Sequence, residues 1–147
     1  MVNDGLNQAA AAFDQPYGGL RQPGEAQDMM RAAMQEVIRL ANLEGVPLPP
    51  DNDVKFIDAM MPTFNPEGMP SMRQDVLAKR PTEVEEFAGV VRQRAKKYGM
   101  PTLPTTFLHP HPRDRGGIQP VRSHPCIRFI SPATERPSGT LKTRSAA

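Results

Sequence analysis

Polar side chains suited to ligand binding occur near the start of the sequence and in its middle. Asn3 and Asn7 are four residues apart, so on a helix they lie on the same face. Their amides, like the hydroxyl of Ser71, can both donate and accept hydrogen bonds. Glu83 lies in the first turn of a predicted helix, where the helix dipole favours an ionised carboxylate. A purely structural alternative stays open, because Ser71 is equally suited to capping a helix and Glu83 to facing solvent.

A second group of chemically capable residues lies towards the C-terminus. Histidine and cysteine are zinc ligands, and four of them occur within 18 residues, counted from 109 to 126. Their spacing matches no zinc-finger pattern and no predicted element supports them, so we expect no metal site. They are His109, His111, His124 and Cys126.

Arginines in the same C-terminal stretch could contact phosphates. We expect a solvated tail instead, because the formal net charge of the whole chain is only +2 and nothing else indicates a nucleic-acid partner. These arginines are Arg113, Arg115, Arg122, Arg128, Arg136 and Arg144.

The bulk composition indicates one domain with an aliphatic core. A length of 147 residues suits a single domain, and with no Trp the core must consist of Leu, Ile, Val, Met and Ala. The single cysteine, Cys126, excludes an internal disulfide framework and fits a reducing compartment. No apolar run is long enough to span a membrane, and the first residues lack a secretory signal. We therefore expect a cytoplasmic protein without a membrane partner.

Apolar periodicity predicts an all-α fold. Two amphipathic helices, at 24–45 and 82–98, carry apolar residues at three- and four-residue steps. Gly45 and Gly99 follow them as helix stops. No alternating strand pattern of useful length is present. Shorter helices are predicted at 3–13, 51–62 and 71–80, and turns at 14–19 and 64–70.

The composition changes from about Pro101 onward. Prolines recur every few residues, apolar periodicity disappears and Arg outnumbers the acidic residues. Such a segment buries too little apolar surface to offset the entropy lost on ordering. We therefore predict a helical domain over 1–106 and a disordered Pro/Arg-rich tail over 107–147.

Three stretches of the sequence together resemble the C-terminal domain of the ketopantoate reductase (2-dehydropantoate 2-reductase) family. The most specific has a Ser-Met-Arg-Gln-Asp motif, a Lys-Arg-Pro-Thr-Glu-Val motif, a glycine within the next helix and a Tyr-Gly-Met-Pro-Thr exit, at the family's spacing. The second ends the long helix, and the third contains the two asparagines. The matching residues are 70–75, 79–84, Gly89 and 98–102, then Glu36 with 43–49, then 3–7 with 16–21.

The resemblance implies a fold, a reaction and a set of ligand-binding residues. The fold is the family's helical bundle, similar to the C-terminal domain of 6-phosphogluconate dehydrogenase. In the family, a Rossmann domain binds NADPH and hydride passes to the ketone carbon of 2-dehydropantoate. By the same resemblance, Asn3, Asn7 and Ser71 bind substrate oxygens and Glu83 contacts the cofactor. The helix faces would pack on the Rossmann half and on a second subunit.

The sequence also departs from the family pattern. The proton-donating lysine of the family falls upstream of Met1, and the glycine-rich phosphate loop is absent. Without a held hydride donor and a poised acid, we expect no catalytic residue in this chain and no turnover by it alone. A shifted reading frame over 107–116 would permit the family's next helix, so we hypothesise that residues after about 102 are translated out of frame. The alternative function is a non-enzymatic helical module for oligomerisation or partner binding.

Overall fold

The chain folds into a bundle of short helices around one long helix. The computed structural model describes residues 1–102, Pro104 and Thr105, and within these it contains helices and no strand. The predicted all-α fold is confirmed. Two π-helical turns cover Asn3–Asn7 and Glu85–Gly89, a 3₁₀ turn covers Met61–Thr63, and the α-helices are α1 (Gln8–Ala12), α2 (Tyr17–Arg21), α3 (Glu25–Leu43), α4 (Asn52–Ala59), α5 (Ser71–Leu77) and α6 (Val90–Lys97).

Helix α3 is the central element of the bundle. The first π turn, α1, α2, α4 and α6 all pack against it. Its apolar residues recur at helical spacing, which is why so many neighbours can bury surface on it. Gly45 has a φ of 83°, a conformation that costs glycine little, and the Val46 N–H donates to the Ala41 carbonyl at 2.8 Å. The predicted helix and its glycine stop are therefore confirmed.

A methionine-rich core joins α3 to the first π turn and α1. Gly5 makes the close contact possible, since a Cβ there would lie 2.5 Å from Met34 Cγ and 2.8 Å from the Met30 carbonyl oxygen. Methionine, which is unbranched and flexible, fills the irregular space between these short elements. The buried members of this core are Leu6, Ala9, Ala10, Leu20, Met30, Met34 and Met61.

Two smaller apolar clusters position the second half of the bundle. One of them packs α5 and the second π turn onto α1, and its buried members are Ala11, Met72, Val84 and Ala88. The other packs α6 onto the C-terminal part of α3, through Leu40, Val91 and Ala95. Most of the apolar stripe predicted along 84–98 is therefore buried. Phe87 is only partly buried, and Tyr98 is 44% exposed.

The structure corrects several local predictions. A turn was expected over 14–19, but Tyr17–Arg21 is a helix. Long-range contacts hold it, because the Tyr17 and Gly18 N–H groups donate to the Gly68 and Pro66 carbonyls at 3.0 and 2.8 Å.

Predicted helix starts and stops also differ in detail. Ser71 is the first helical residue, Pro70 occupies the cap position, and no side chain caps the helix. The suggested capping role of Ser71 is therefore wrong. Helix α5 ends at Leu77, earlier than predicted, and Lys79 has a left-handed φ of 54°.

The predicted tail, with its histidines, cysteine and arginines, lies outside the described residues. Of the residues after 102, to which the frame-change hypothesis applies, Pro104 and Thr105 are described. Among the residues that are described, no helix combines the length and the apolar character needed to span a bilayer.

Candidate functional site

Ser71 and Glu83 belong to neighbouring segments that pack on α1. The residue that follows each of them, Met72 and Val84, is buried in the same cluster with Ala11. Ser71 and Glu83 themselves are exposed. We call the surface formed by Ser71, Met72, Glu83 and Val84 the α5 corner. Apolar packing thus fixes its backbone and leaves its two polar side chains facing solvent.

The two asparagines lie on the first π turn, which packs against both α5 and the second π turn. Asn3 is exposed, whereas Asn7 is 9% exposed. The structure therefore brings the elements that carry all four predicted site residues next to one another. Turns of π-helix are rare and occur often at functional sites, and here one carries the asparagines while the other begins two residues after Glu83.

An ion pair ties helix α5, two residues after Ser71, to the loop that follows α1. The Arg73 Nε donates to Asp14 Oδ1 at 2.9 Å, across 59 positions of sequence. Asp14 is half exposed, so the pair contributes little to stability on its own. Its geometric effect is to restrain the part of α5 next to Ser71 against the end of α1.

Sequence reasoning missed a group of buried polar residues on the inner side of the first turn. Asp4 and Glu36 are 3% and 1% exposed, and both accept hydrogen bonds from Thr105. The Thr105 N–H donates to Glu36 Oε2 at 2.9 Å, and its hydroxyl donates to Asp4 Oδ2 at 3.5 Å. Gln8 Nε2 donates to Asp4 Oδ1 at 2.7 Å. We call Asp4, Gln8, Glu36 and Thr105 the buried polar centre.

Burial dominates the electrostatics of this centre. Loss of solvation raises the pKa of Asp4 to about 6, against the opposing attraction of the Met1 ammonium and the hydrogen bonds from Gln8 and Thr105. Burial likewise raises the pKa of Glu36, although the bonds from Thr105 and the charge of Arg39 oppose it. Burial also lowers the pKa of the Met1 ammonium, which Asp4 partly offsets. The carboxyls of the centre therefore bind protons more tightly than ordinary carboxyls do.

A third buried carboxylate has a different environment. Asp53 on α4 is 1% exposed, and it accepts hydrogen bonds from Arg31 Nε at 3.2 Å and from Gln35 Nε2 at 2.6 Å. Its charge is thus compensated by a guanidinium. The contact joins α4 to α3 and is structural.

One signal in the sequence pointed to the buried polar centre. Glu36 lies three residues after Ala33 and four before Leu40, so it falls on the apolar stripe of α3. A carboxylate at such a position must be paired, protonated or functional. Thr105 gave no comparable signal, because it belongs to a stretch without apolar periodicity.

The described residues hold no cluster of three or more His, Cys, Asp or Glu side chains that could bind a metal ion. For a cofactor, Glu83 is the predicted contact. An exposed carboxylate can accept hydrogen bonds from the hydroxyl and amide groups of a nicotinamide nucleotide, but it would repel the phosphates. The residue present therefore fits the nucleoside part of such a cofactor.

Residues 1–109 match a family model described as the C-terminal domain of ketopantoate reductase PanE/ApbA. The chain belongs to this family. A curated 2-dehydropantoate 2-reductase of Aquifex aeolicus is 30% identical over 114 residues, which are 74% of this chain and 36% of that protein. The chain thus spans about a third of the length of the curated relative.

Two solved structures share the fold of this chain. A dimeric ketopantoate reductase from Staphylococcus aureus is 25% identical with a TM-score of 0.66, over 74% of this chain and 37% of the other. A D-mandelate dehydrogenase, solved with NADH and anilino(oxo)acetate, is also 25% identical with a TM-score of 0.66, over 74% and 36% of the two chains. Membership in the ketopantoate reductase family, inferred above from three sequence stretches, is confirmed.

Proposed function

We propose that the chain is the substrate-binding C-terminal domain of an NADPH-dependent 2-dehydropantoate 2-reductase-like oxidoreductase, which forms pantoate for pantothenate and coenzyme A biosynthesis. The family match over residues 1–109 carries this proposal. The α5 corner supports it, because two exposed polar side chains stand on segments that the core holds in place. Preorganised polar groups on a rigid scaffold are what orientation of a small oxo acid requires.

Four residues would contact the ligands. Asn3, Asn7 and Ser71 would bind the carboxylate and hydroxyl oxygens of the substrate, since amides and hydroxyls both donate and accept. Glu83 would accept a hydrogen bond from the nicotinamide nucleotide. NADPH, when bound, supplies the hydride that reduces the ketone. The role of this chain is to bind and orient the substrate beneath that cofactor.

The sequence contains no glycine-rich phosphate-binding loop of the kind that the family resemblance implies for the cofactor-binding half. A bundle that orients the substrate needs such a half to hold the hydride donor, so we expect these 147 residues to reduce 2-oxo acids only together with it. We propose that a Rossmann half complements the chain, with a second subunit completing a homodimer as in the dimeric Staphylococcus aureus relative. We propose a cytoplasmic location, in keeping with the family's biosynthetic role.

The substrate could be another 2-oxo acid. D-mandelate dehydrogenase shares the fold, and the ligand in that structure is an aryl-substituted oxoacid. Comparing ketopantoate with benzoylformate in the assay described next would distinguish the two substrate classes.

Oxidation of NADPH by 2-oxo acids tests the proposal. The chain would be assayed alone and then mixed with a fragment of the Aquifex aeolicus relative that comprises the part of that protein outside the matched 36%. We expect activity only in the mixture, and we expect Ser71→Ala and Glu83→Gln to reduce kcat/KM by about 10- to 100-fold, which corresponds to the loss of a charge-assisted hydrogen bond. Glu86→Gln, an exposed carboxylate three residues later, is the matched control and should behave as the wild type.

A second candidate function is a helical association module. It is favoured by large apolar side chains that remain exposed, among them Leu43, Val46 and Leu77 at 51%, 52% and 55%. Concentration-dependent sedimentation of the chain alone, with no activity in any mixture, would support this function over the first.

A further inference from the structure

Ser71 begins a short helix whose first turn has no cap of its own. Helix α5 has seven residues, Pro70 occupies its cap position, and no side chain caps it. Met72 is buried in the cluster with Ala11 of α1, and the partly buried Val76 follows one turn later on the same face. Apolar contacts are non-directional, so they hold α5 on the bundle but constrain its rotation about its own axis only loosely. The direction of the Ser71 hydroxyl depends on that rotation.

Arg73 adds a directional contact at a second point on the circumference of α5. Ser71, Met72 and Arg73 project about 100° apart around the helix axis. Arg73 Nε donates to Asp14 Oδ1 at 2.9 Å, and the Arg73 side chain is only 15% exposed. A hydrogen bond has a preferred angle as well as a preferred distance, so this contact opposes a rotation that the apolar face would allow. It is made two residues, or about 3 Å along the helix, from Ser71.

Asp14 is held firmly enough to serve as the fixed partner. It follows α1 in the left-handed conformation, with a φ of 51°, which aspartate adopts more readily than most other non-glycine residues. The Gln15 N–H closes the end of the helix by donating to the Ala10 carbonyl at 3.0 Å, and Ala10 is fully buried. The backbone that carries the Asp14 carboxylate is therefore tied to the core.

The same helical segment carries the two asparagines. The first π turn passes into α1 without a break, since Asn7 and Gln8 at the junction both have helical φ and ψ. Asp14 thus lies just beyond one end of a continuous helical segment whose other end bears the asparagines. The contact between Arg73 and Asp14 consequently relates the position of Ser71 to theirs.

We propose that Arg73 is a positioning residue of the candidate site: its ion pair with Asp14 fixes the rotation of α5 and so directs the Ser71 hydroxyl towards the ligand that the asparagines bind. This inference rests on the proposed substrate-binding role of Ser71. Arg73 acts through Ser71 and not by touching the ligand. Because the orientation of reacting groups is sensitive to displacements of about 1 Å, a pair that contributes little to stability can still control the rate.

The backbone motion of α5 tests the proposal on the full ¹⁵N-labelled chain, without any assay of activity. Arg73→Met keeps a long unbranched side chain and removes the charge. We expect it to lower the amide order parameters of Ser71 and Met72 from about 0.85, the value of rigid backbone, towards about 0.6. Met34 on α3 should keep its order parameter. Arg94→Met is the matched control, because Arg94 forms a similar ion pair at 2.8 Å between α6 and the end of α3, and it should leave α5 unchanged.

Coupling to Ser71 tests the positioning role in the reductase mixture described above. Arg73→Met should lower kcat/KM by about tenfold. Asp14→Gly should do the same, since glycine accepts the left-handed backbone while the carboxylate is lost. Asp14→Asn keeps the acceptor and should retain most of the rate. In a Ser71→Ala background Arg73→Met should have no further effect, whereas in a Glu83→Gln background it should keep its full effect.

Three results would overturn the proposal. They are unchanged Ser71 order parameters in Arg73→Met, a wild-type rate in Asp14→Gly, and an Arg73→Met effect of the same size with and without the Ser71 hydroxyl. If Arg73→Met fails to fold, Asp14→Gly takes its place in each comparison. If no mixture with the wild-type chain reduces a 2-oxo acid, the proposed function fails, and the order parameters still decide whether the ion pair holds Ser71 in place.

Discussion

The α5 corner and the buried polar centre use polar residues in opposite ways. In the corner, Ser71 and Glu83 are exposed and their apolar neighbours provide the packing. In the centre, Asp4 and Glu36 are themselves buried, and their hydrogen bonds go to other protein groups. Substitutions in the corner should therefore change ligand binding without changing stability. Substitutions in the centre should change stability and its dependence on pH.

The largest expected effect is the pH dependence that Asp4 contributes. Its pKa is about 6 in the folded chain and near 3.8 when unfolded, so the folded state holds the proton more tightly. The resulting stabilisation is fully present below pH 3.8 and is lost as the pH rises through 6. The total change in unfolding free energy is about 3 kcal/mol.

Chemical denaturation at pH 4 and at pH 7.5 measures this contribution of Asp4 to stability. The unfolding free energy of Asp4→Asn, relative to that of the wild type, should be higher at pH 7.5 than at pH 4. An unchanged difference at the two pH values would contradict the raised pKa of Asp4.

Replacing Gly5 by alanine should disturb both regions at once. Gly5 lies on the turn that carries Asn3, Asp4 and Asn7, and a Cβ there would clash with Met34 and with the Met30 carbonyl. We expect Gly5→Ala to lower the unfolding free energy by about 2 kcal/mol, as overpacking of a core usually does. Gly45→Ala is not a suitable control, because Gly45 has a positive φ. Ala32→Gly, at a half-buried site within α3, would show the ordinary effect of a glycine–alanine exchange in a helix.

The Asp53 site sharpens the contrast between a compensated and an uncompensated buried carboxylate. Asp53→Asn keeps the acceptor for Gln35 but removes the charge that pairs with Arg31. Because Arg31 is half exposed, solvent screens the pair, and we expect a loss of only about 1 kcal/mol at pH 7.5. Asp4→Asn should have the opposite sign at this pH. Thermal unfolding that gave both variants the same sign would remove the distinction between the two sites.

The smallest stability effect should come from the α5 corner. Ser71→Ala and Glu83→Gln remove exposed side chains for which the described residues show no hydrogen bond or ion pair, and each should change the unfolding free energy by less than about 0.5 kcal/mol. Melting temperatures of both variants should therefore match that of the wild type. A clear destabilisation would mean that these residues have a structural role.

The parts of the structure that depend on local pattern could be predicted from the sequence. Helices α3 and α6 have clear apolar periodicity and glycine stops, and both are present. Helix α2 was missed because Gly18 and Gly19 disfavour helix locally, and carbonyls from a distant loop hold its first turn. The π turns were missed because their bonding differs from that of an α-helix without changing residue type.

The candidate site was predicted only in part for a similar reason. The resemblance identified the exposed residues of the α5 corner, which carry recognisable motifs. The buried polar centre joins positions 4, 36 and 105, and no local pattern links them. Burial is a tertiary property, so the polar position of Glu36 on an apolar stripe was the one warning that the sequence offered.

A crystal structure of the chain with the complementing Rossmann fragment, NADP⁺ and pantoate tests the central claim most directly. We predict that the Ser71 hydroxyl lies within hydrogen-bond distance of pantoate, and that the Glu83 carboxylate contacts the nicotinamide nucleoside in the same concavity. A complex in which these two side chains point to different surfaces, with neither ligand between them, would contradict the assignment of the α5 corner as a binding site.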